Sequence, residues 1–169
     1  MGAAGPYHGR MRVLFMHGLE SSPRGDKAVY LARHFEALTP AMDTGDFQAC
    51  LEQQTAAIAD FRPDVVVGSS FGGALAVLLL VQGRWAGPTL LLAQASARFD
   101  PTLRLPEDVP VLLVHGTRDD VIDIEGSRRL AATGTPERVR LVEVDDGHRL
   151  GTLLTTDRLA DLVREVAAM

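Results

Sequence analysis

Cysteine is almost missing from this chain: Cys50 is the single example in 169 residues. One thiol forms no intrachain disulfide and builds no multi-cysteine metal site, so Cys50 reads as a small apolar residue on a helix. There is no HExxH and no clustered Cys/His set, so no metal site is expected. Basic residues are few and scattered, 17 Lys and Arg against 22 Asp and Glu, for a net charge of −5. That excludes the cationic stripe needed to neutralise nucleic-acid phosphates or to dock on anionic lipid. Long apolar runs are also missing. The longest, around residues 73–81, falls well short of a bilayer, and the N-terminus lacks the charged, apolar and small-residue succession of a signal peptide. The expected location is therefore cytoplasmic. A GxxxxGK[ST] loop and a GxGxxG after the first apolar run are both lacking, which argues against nucleotide binding. The chain shows no internal repeat or low-complexity segment, and no pattern in it specifies an oligomeric state.

What remains is an ordinary globular composition, 46% hydrophobic and 23% charged, at the length of one domain. Residues 1–10 carry Gly2, Gly5, Gly9 and Pro6 without hydrophobic periodicity and are expected to be a disordered extension, leaving 11–169 as the domain. Within it, strand-like and helix-like segments alternate. Val13 to Met16 is a short buried strand. Ala28, Leu31, Ala32, Phe35 and Leu38 keep helical spacing up to Thr39-Pro40, and a weak strand is expected at Ala41 to Asp43. Phe47, Cys50, Leu51, Ile58 and Phe61 mark a second helix, stopped by Pro63. Strands at Val65 to Val67, Thr89 to Ala93, Val111 to Val114 and Val139 to Val144 follow, the last alternating like a half-exposed edge. Between them lie a helix after Ser70, an irregular segment from Gln94 to Asp108, and a helix at Leu130 and Ala131. A final helix carries Leu159, Leu162, Val163 and Val166, with Thr155 or Thr156 as its cap. Near-continuous apolar strands separated by helices predict a mostly parallel sheet of about six strands, covered on both faces. In such a sheet, His17, Ser70, Asp119 and His148 gather at the edge formed by the strand C-termini.

The stretch Gly68-Ser69-Ser70-Phe71-Gly72 stands between an apolar β-branched run and an apolar helix. Two flanking glycines permit a turn tight enough to expose the Ser70 hydroxyl, and the Phe71 amide falls at a helix N-terminus, where it can donate to a developing oxyanion. A serine needs a base, and an imidazole serves best with a carboxylate behind it. Ser70, Asp119 and His148 occur in the chain order expected with a GxSxG nucleophile, and Asp119 is weighed against its neighbours Asp120 and Asp123.

These features together resemble the α/β-hydrolase superfamily. The likeness runs over Met11 to Met169 through four ordered motifs: HG after the first strand, GSSFG, HGTRDDV and DGH. The opening HGLESSPRGDKA is similar to that of small bacterial esterases of the YqiA type. The resemblance implies a minimal capless α/β-hydrolase fold. It makes Ser70 the nucleophile, His148 the base and Asp119 the acid, with the Leu19 and Phe71 amides as the oxyanion hole and no cofactor. The implied activity is hydrolysis of a small carboxylic ester or thioester through an acyl-enzyme. Acyl transfer by the same triad and a non-catalytic binding protein on the same fold are the alternatives.

Other polar residues near these motifs have structural readings. His17 and His115 are expected to make buried hydrogen bonds, Asp145 and Asp146 to form a turn, and Ser21, Ser22, Arg24 and Lys27 to serve the loop and helix start. Arg24 is a further candidate for an acidic substrate group. The interval Gln94 to Pro110 is too short for a lid beyond its crossover, so an open site is expected, lined by Leu19, Phe71, Phe99 and Leu150 and suited to acyl chains of roughly two to six carbons.

Overall fold

The computed structural model describes residues 10–19 and 21–169. Its elements are β1 (Arg12–Met16), α1 (Asp26–His34), β2 (Glu36–Leu38), α2 (Phe47–Phe61), β3 (Val65–Ser69), α3 (Phe71–Val81), β4 (Thr89–Leu92), β5 (Val111–Gly116), α4 (Ile124–Ala131), β6 (Val139–Val144), α5 (Thr152–Thr155) and α6 (Arg158–Ala167). One 3-10 turn, Ser96–Arg98, interrupts the passage from β4 to β5. All six strands are parallel, in the order β2-β1-β3-β4-β5-β6.

The alternation of side chains along the central strands divides the core into two layers. Val13, Phe15, Val65, Val67, Leu90, Leu92, Leu112 and Val114 face α1 and α6, meeting Leu31, Leu159, Leu162 and Val163. Leu14, Met16, Val66, Leu91, Val111 and Leu113 face the other way, toward Cys50 and Leu51 of α2, Leu75 and Leu79 of α3, and Leu130 of α4. Both faces of β1, β3, β4 and β5 are thus dry, which is why these strands read as near-continuous apolar runs. β6 is the half-exposed edge that its alternating Arg140 and Glu143 predict.

Three local expectations are corrected. The first helix ends at His34, and Phe35 caps it in an extended conformation while remaining buried. The chain then pairs at once with β1 through Arg12↔Glu36 and Leu14↔Leu38, so the second strand lies at 36–38 and not at 41–43. Helical spacing of Leu38 is outweighed here by the open hydrogen-bonding edge of β1. At the last helix, Asp157 occupies the cap position at φ 61° in place of Thr155 or Thr156. Its carboxylate accepts from the Tyr30 hydroxyl at 2.6 Å. The expectation of disorder for residues 1–10 falls, apart from Arg10, outside the described residues. Arg10 itself donates to the Arg33 carbonyl at the end of α1, at 2.6 Å.

The strand order places the chemistry. From β1 the chain runs outward to β2, then returns across β1 to β3, so loops leaving β1 and β3 diverge and open a crevice between them. His17 and Gly18 follow β1, and Ser70 follows β3. Gly72 keeps them close: a methyl group there would overlap the Met16 carbonyl, so only glycine lets the first turn of α3 lie against the end of β1.

Candidate active site

Ser70 sits between β3 and α3 at φ 55°, ψ −113°, a conformation costly for a residue with a side chain. The surrounding backbone holds it there: its N–H donates to the Leu92 carbonyl at 2.9 Å, and its carbonyl accepts from the Ala74 and Ala95 amides at 3.0 and 3.2 Å. The strained turn points the hydroxyl away from the strand, and Ser70 Oγ lies 3.1 Å from His148 Nε2. His148 Nδ1 lies 2.8 Å from Asp119 Oδ2. The other carboxylate oxygen accepts from the Val121 and Ile122 amides at 2.9 and 2.8 Å. Burial by itself pushes the Asp119 carboxyl upward, but the Ile122 amide, the His148 ring and the Val121 amide together outweigh it and hold the group below the ordinary carboxylate value. Ser70, His148 and Asp119 therefore form one continuous hydrogen-bonded chain, while Asp120 is exposed and Asp123 caps α4 through the Glu125 amide.

The turn carrying His148 is tied down on both sides. The Asp146 carboxylate accepts from the Gly147 amide at 2.7 Å and from the Thr152 amide and hydroxyl at 3.0 and 2.6 Å, the turn-forming role expected of it. Lys27, at the start of α1, donates to the Arg149 carbonyl at 2.7 Å. Burial lowers the Lys27 pKa, and the ammonium joins the helix to the residue next to His148.

Phe71 opens α3, so its N–H belongs to the first turn, whose amides lack partners within the helix. Across the crevice, a methyl group on Gly18 would stand 3.4 Å from Ser70 Cβ, which puts the Gly18-Leu19 peptide beside Ser70. His17 fixes that peptide. Its Nε2 accepts from the Met42 amide at 3.2 Å, leaving Nδ1 protonated to donate to the Gly18 carbonyl at 2.8 Å. The two buried histidines both make the hydrogen bonds foreseen for them, His115 through contacts described below.

Around the mouth, Leu19 (57% exposed), Phe99 (47%) and Val121 (49%) are large apolar side chains left open on loops after β1, β4 and β5. Phe99 stacks on Phe47 at 4.3 Å between ring centres, and Phe47 meets Phe71 edge-on at 5.6 Å. Phe47 joins this wall although its sequence pattern marks it only as the apolar start of α2; no local signal reveals its partner. A cavity of about 420 Å³ opens alongside, bounded by Gln94, Ala95, Arg98, Pro101, Val121 and Ile122. Leu150 does not line the mouth. It is fully buried in the core layer with α1 and α6, because the chain turns at φ 52° just after Arg149 and sends this side chain inward. Arg24 is exposed on the loop before α1. Between Gln94 and Pro110 the regular structure is the single 3-10 turn Ser96–Arg98. Among the described residues, no group of three or more His, Cys, Asp or Glu side chains is placed to hold a metal ion.

Residues 12–85 match the model of an uncharacterised protein family, UPF0227, a span that includes the HG loop and the Ser70 turn. Among solved structures, a protein assigned to the alpha/beta hydrolase superfamily from Xanthomonas campestris pv. campestris superposes with TM-score 0.75 at 24% identity, over 92% of this chain and 98% of its own. The fold is that of the α/β hydrolases. The meta-cleavage product hydrolase of Pseudomonas fluorescens (TM-score 0.70, 16% identity, 92% and 90% covered) and Est1E of Butyrivibrio proteoclasticus (0.72, 15%, 95% and 89%) share it. No curated protein matches the sequence. Among the described residues no helix is long and apolar enough to cross a membrane.

Proposed function

We propose that this α/β hydrolase is a serine esterase or thioesterase that works through an acyl-enzyme in the cytoplasm. The observation that carries the reading is the unbroken chain from Ser70 Oγ through the His148 ring to Asp119, at 3.1 and 2.8 Å. His148 Nε2 takes the hydroxyl proton as Ser70 Oγ bonds to the substrate carbonyl carbon, and Asp119 steadies the imidazolium that results. The carbonyl oxygen, now negative, receives the Phe71 and Leu19 amides. Collapse of this intermediate breaks the bond to the leaving oxygen or sulfur, which takes the proton from His148. Water then adds to the acyl-serine, gives its proton to His148, and the carboxylic acid departs as Ser70 recovers its hydrogen.

The apolar wall is short: Leu19 and Phe99 stand open to solvent, with Phe47 packed on Phe99 and on the buried Phe71 behind them, so it covers few methylenes. Each one covered is worth about 0.8 kcal/mol, or about fourfold in kcat/KM, and the gain stops where the wall ends. Activity toward p-nitrophenyl esters and acyl thioesters of graded length, with Ser70→Ala as control, tests this. An optimum at roughly two to six carbons is expected; hydrolysis undiminished in Ser70→Ala removes the mechanism, and rates that climb steadily to long chains remove the pocket assignment.

A further inference from the structure

Asp119 Oδ2 has two imidazoles on it. Besides His148 from the solvent side, His115 approaches from the core with Nε2 at 3.1 Å, and neither the His115 nor the Asp119 side chain has any exposed surface. His115 is the penultimate residue of β5, and its buried ring meets the loop after that strand and α4. Nε2 also lies 2.9 Å from the Ile122 carbonyl, and Nδ1 lies 2.7 Å from Ser127 Oγ. Ser127 is buried on α4 and accepts from Gln94 Nε2 at 3.0 Å; the Gln94 carbonyl oxygen in turn accepts from the Ser96 amide at 2.8 Å.

Counting donors leaves one arrangement that satisfies every group. The Ile122 carbonyl and the Asp119 carboxylate only accept, so Nε2 carries a proton. Gln94 donates to Ser127, so the Ser127 hydrogen points at Nδ1, which is bare. A second ring proton would leave Ser127 facing two N–H groups, with its own hydrogen unpaired in a closed site. The Asp119 carboxylate thus accepts three hydrogen bonds, two amides on Oδ1 and the His148 ring on Oδ2, while the His115 Nε2–H, which donates to the Ile122 carbonyl, stands 3.1 Å from Oδ2 with its positive end toward that oxygen.

Resting on the triad reading above, we propose that His115 is a positioning residue for the catalytic acid. Two amides fix one oxygen of Asp119, and the buried His115 N–H, itself held by the Ile122 carbonyl, packs against the other at 3.1 Å whether or not His148 is protonated. The carboxylate plane therefore stays aligned while the His148 ring, on its partly exposed turn, gains and loses its proton. Ser127 and Gln94 set the tautomer that makes this possible. His17 is the opposite tautomer by the same counting, protonated at Nδ1.

Nitrogen-15 NMR of the ring nitrogens in the full-length protein tests the tautomer directly, with assignments taken from His115→Gln and a His17 variant. The expected spectrum shows His115 protonated at Nε2 and bare at Nδ1, and His17 the reverse; His115 protonated at Nδ1 overturns the proposal. In kinetics, His115→Leu should lower kcat by roughly tenfold or more with KM little changed, since only alignment of the acid is lost. His115→Gln, which can return an N–H near the Nε2 position, should recover most of that turnover. Equal losses in Leu and Gln variants, or a Leu variant as active as the parent, contradict the role. Should His115→Leu not fold, Ser127→Ala decides: a several-fold fall in kcat at constant KM supports the account, and unchanged kcat refutes it. Ser70→Ala separates the two readings, because residual turnover there defeats the serine mechanism while the tautomer measurement continues to judge His115 by itself.

Discussion

Replacing Asp119 by Asn is the perturbation whose outcome the structure constrains most closely. The carboxylate accepts the Val121 and Ile122 amides on one oxygen and the His148 ring on the other, and the His115 N–H stands 3.1 Å from that second oxygen. An amide offers one oxygen and one NH2, and the two ways of seating it differ in cost. With the NH2 toward Val121 and Ile122, two backbone N–H groups lose their acceptor, at about 1–3 kcal/mol each. With the oxygen toward those amides, both backbone bonds survive and the NH2 faces the two rings. The second orientation wins. It asks His148 Nδ1 to accept, which moves the ring proton to Nε2, where it blocks the transfer from Ser70. Loss of the correct tautomer costs on the order of 10⁴ in turnover in another serine hydrolase triad, or roughly 5 kcal/mol. The fold should weaken by only about 1–3 kcal/mol, because a single donor pair around His115 is left facing. The assay is steady-state hydrolysis of a p-nitrophenyl ester alongside thermal unfolding. A loss of less than tenfold, or a comparable loss in Asp120→Asn with Asp119→Asn nearly active, would refute the reasoning.

Three further outcomes follow from buried groups. Gln54 is fully buried on α2 and neither of its side-chain polar atoms has a partner among the described residues, so Gln54→Leu should stabilise the protein by roughly 2 kcal/mol and raise Tm by roughly 4–8 °C in a thermal melt. A lower Tm would mean the amide has a role its surroundings do not show. Leu150→Ala should cost about 2–5 kcal/mol in urea unfolding yet leave the acyl-length profile of the surviving folded enzyme unchanged, since the side chain is in the core and not at the mouth. The Asp119 carboxyl is held below its ordinary value of 3.8 when folded, so its contribution to stability is complete above that pH and fades as pH falls through the lower folded value. The stability gap between the parent and Asp119→Asn, measured by denaturant titration, should therefore narrow below about pH 4, and a gap that widens there would contradict the assignment.

Legibility in the sequence tracked how local each determinant is. The Val65 run, the paired glycines and the apolar α3 are all set within a dozen residues, and the turn with its serine lies where they indicate. The strand C-termini then bring His148 and Asp119 to it, because parallel strands point every site-bearing loop to one edge. The spacing of Leu38 satisfies a helix as well as a strand, and only pairing of 36–38 with Arg12 to Leu14 distinguishes them. Leu150 failed for a related reason: it is two residues from His148 in sequence, but a left-handed turn separates them in space. Phe47 begins an apolar helix face, while Gln94 and Ser127 are polar residues with no pattern that marks them as buried, and none of the three gives a hint of the group it meets. Contacts between elements distant in sequence decide those, and periodicity carries no record of them.

The central claim is that Ser70 is a nucleophile activated by His148, and reaction of the folded protein with a fluorophosphonate, followed by mass spectrometry of the peptides, tests it most directly. Only a serine with a base at hydrogen-bond distance and amides ready for the developing charge reacts quickly. Ser69, its immediate neighbour, is the internal control. One adduct per chain is expected, on Ser70, and it should be lost in His148→Ala. Labelling at Ser69, Ser21 or Ser22, or a folded protein that remains unlabelled, would contradict the account.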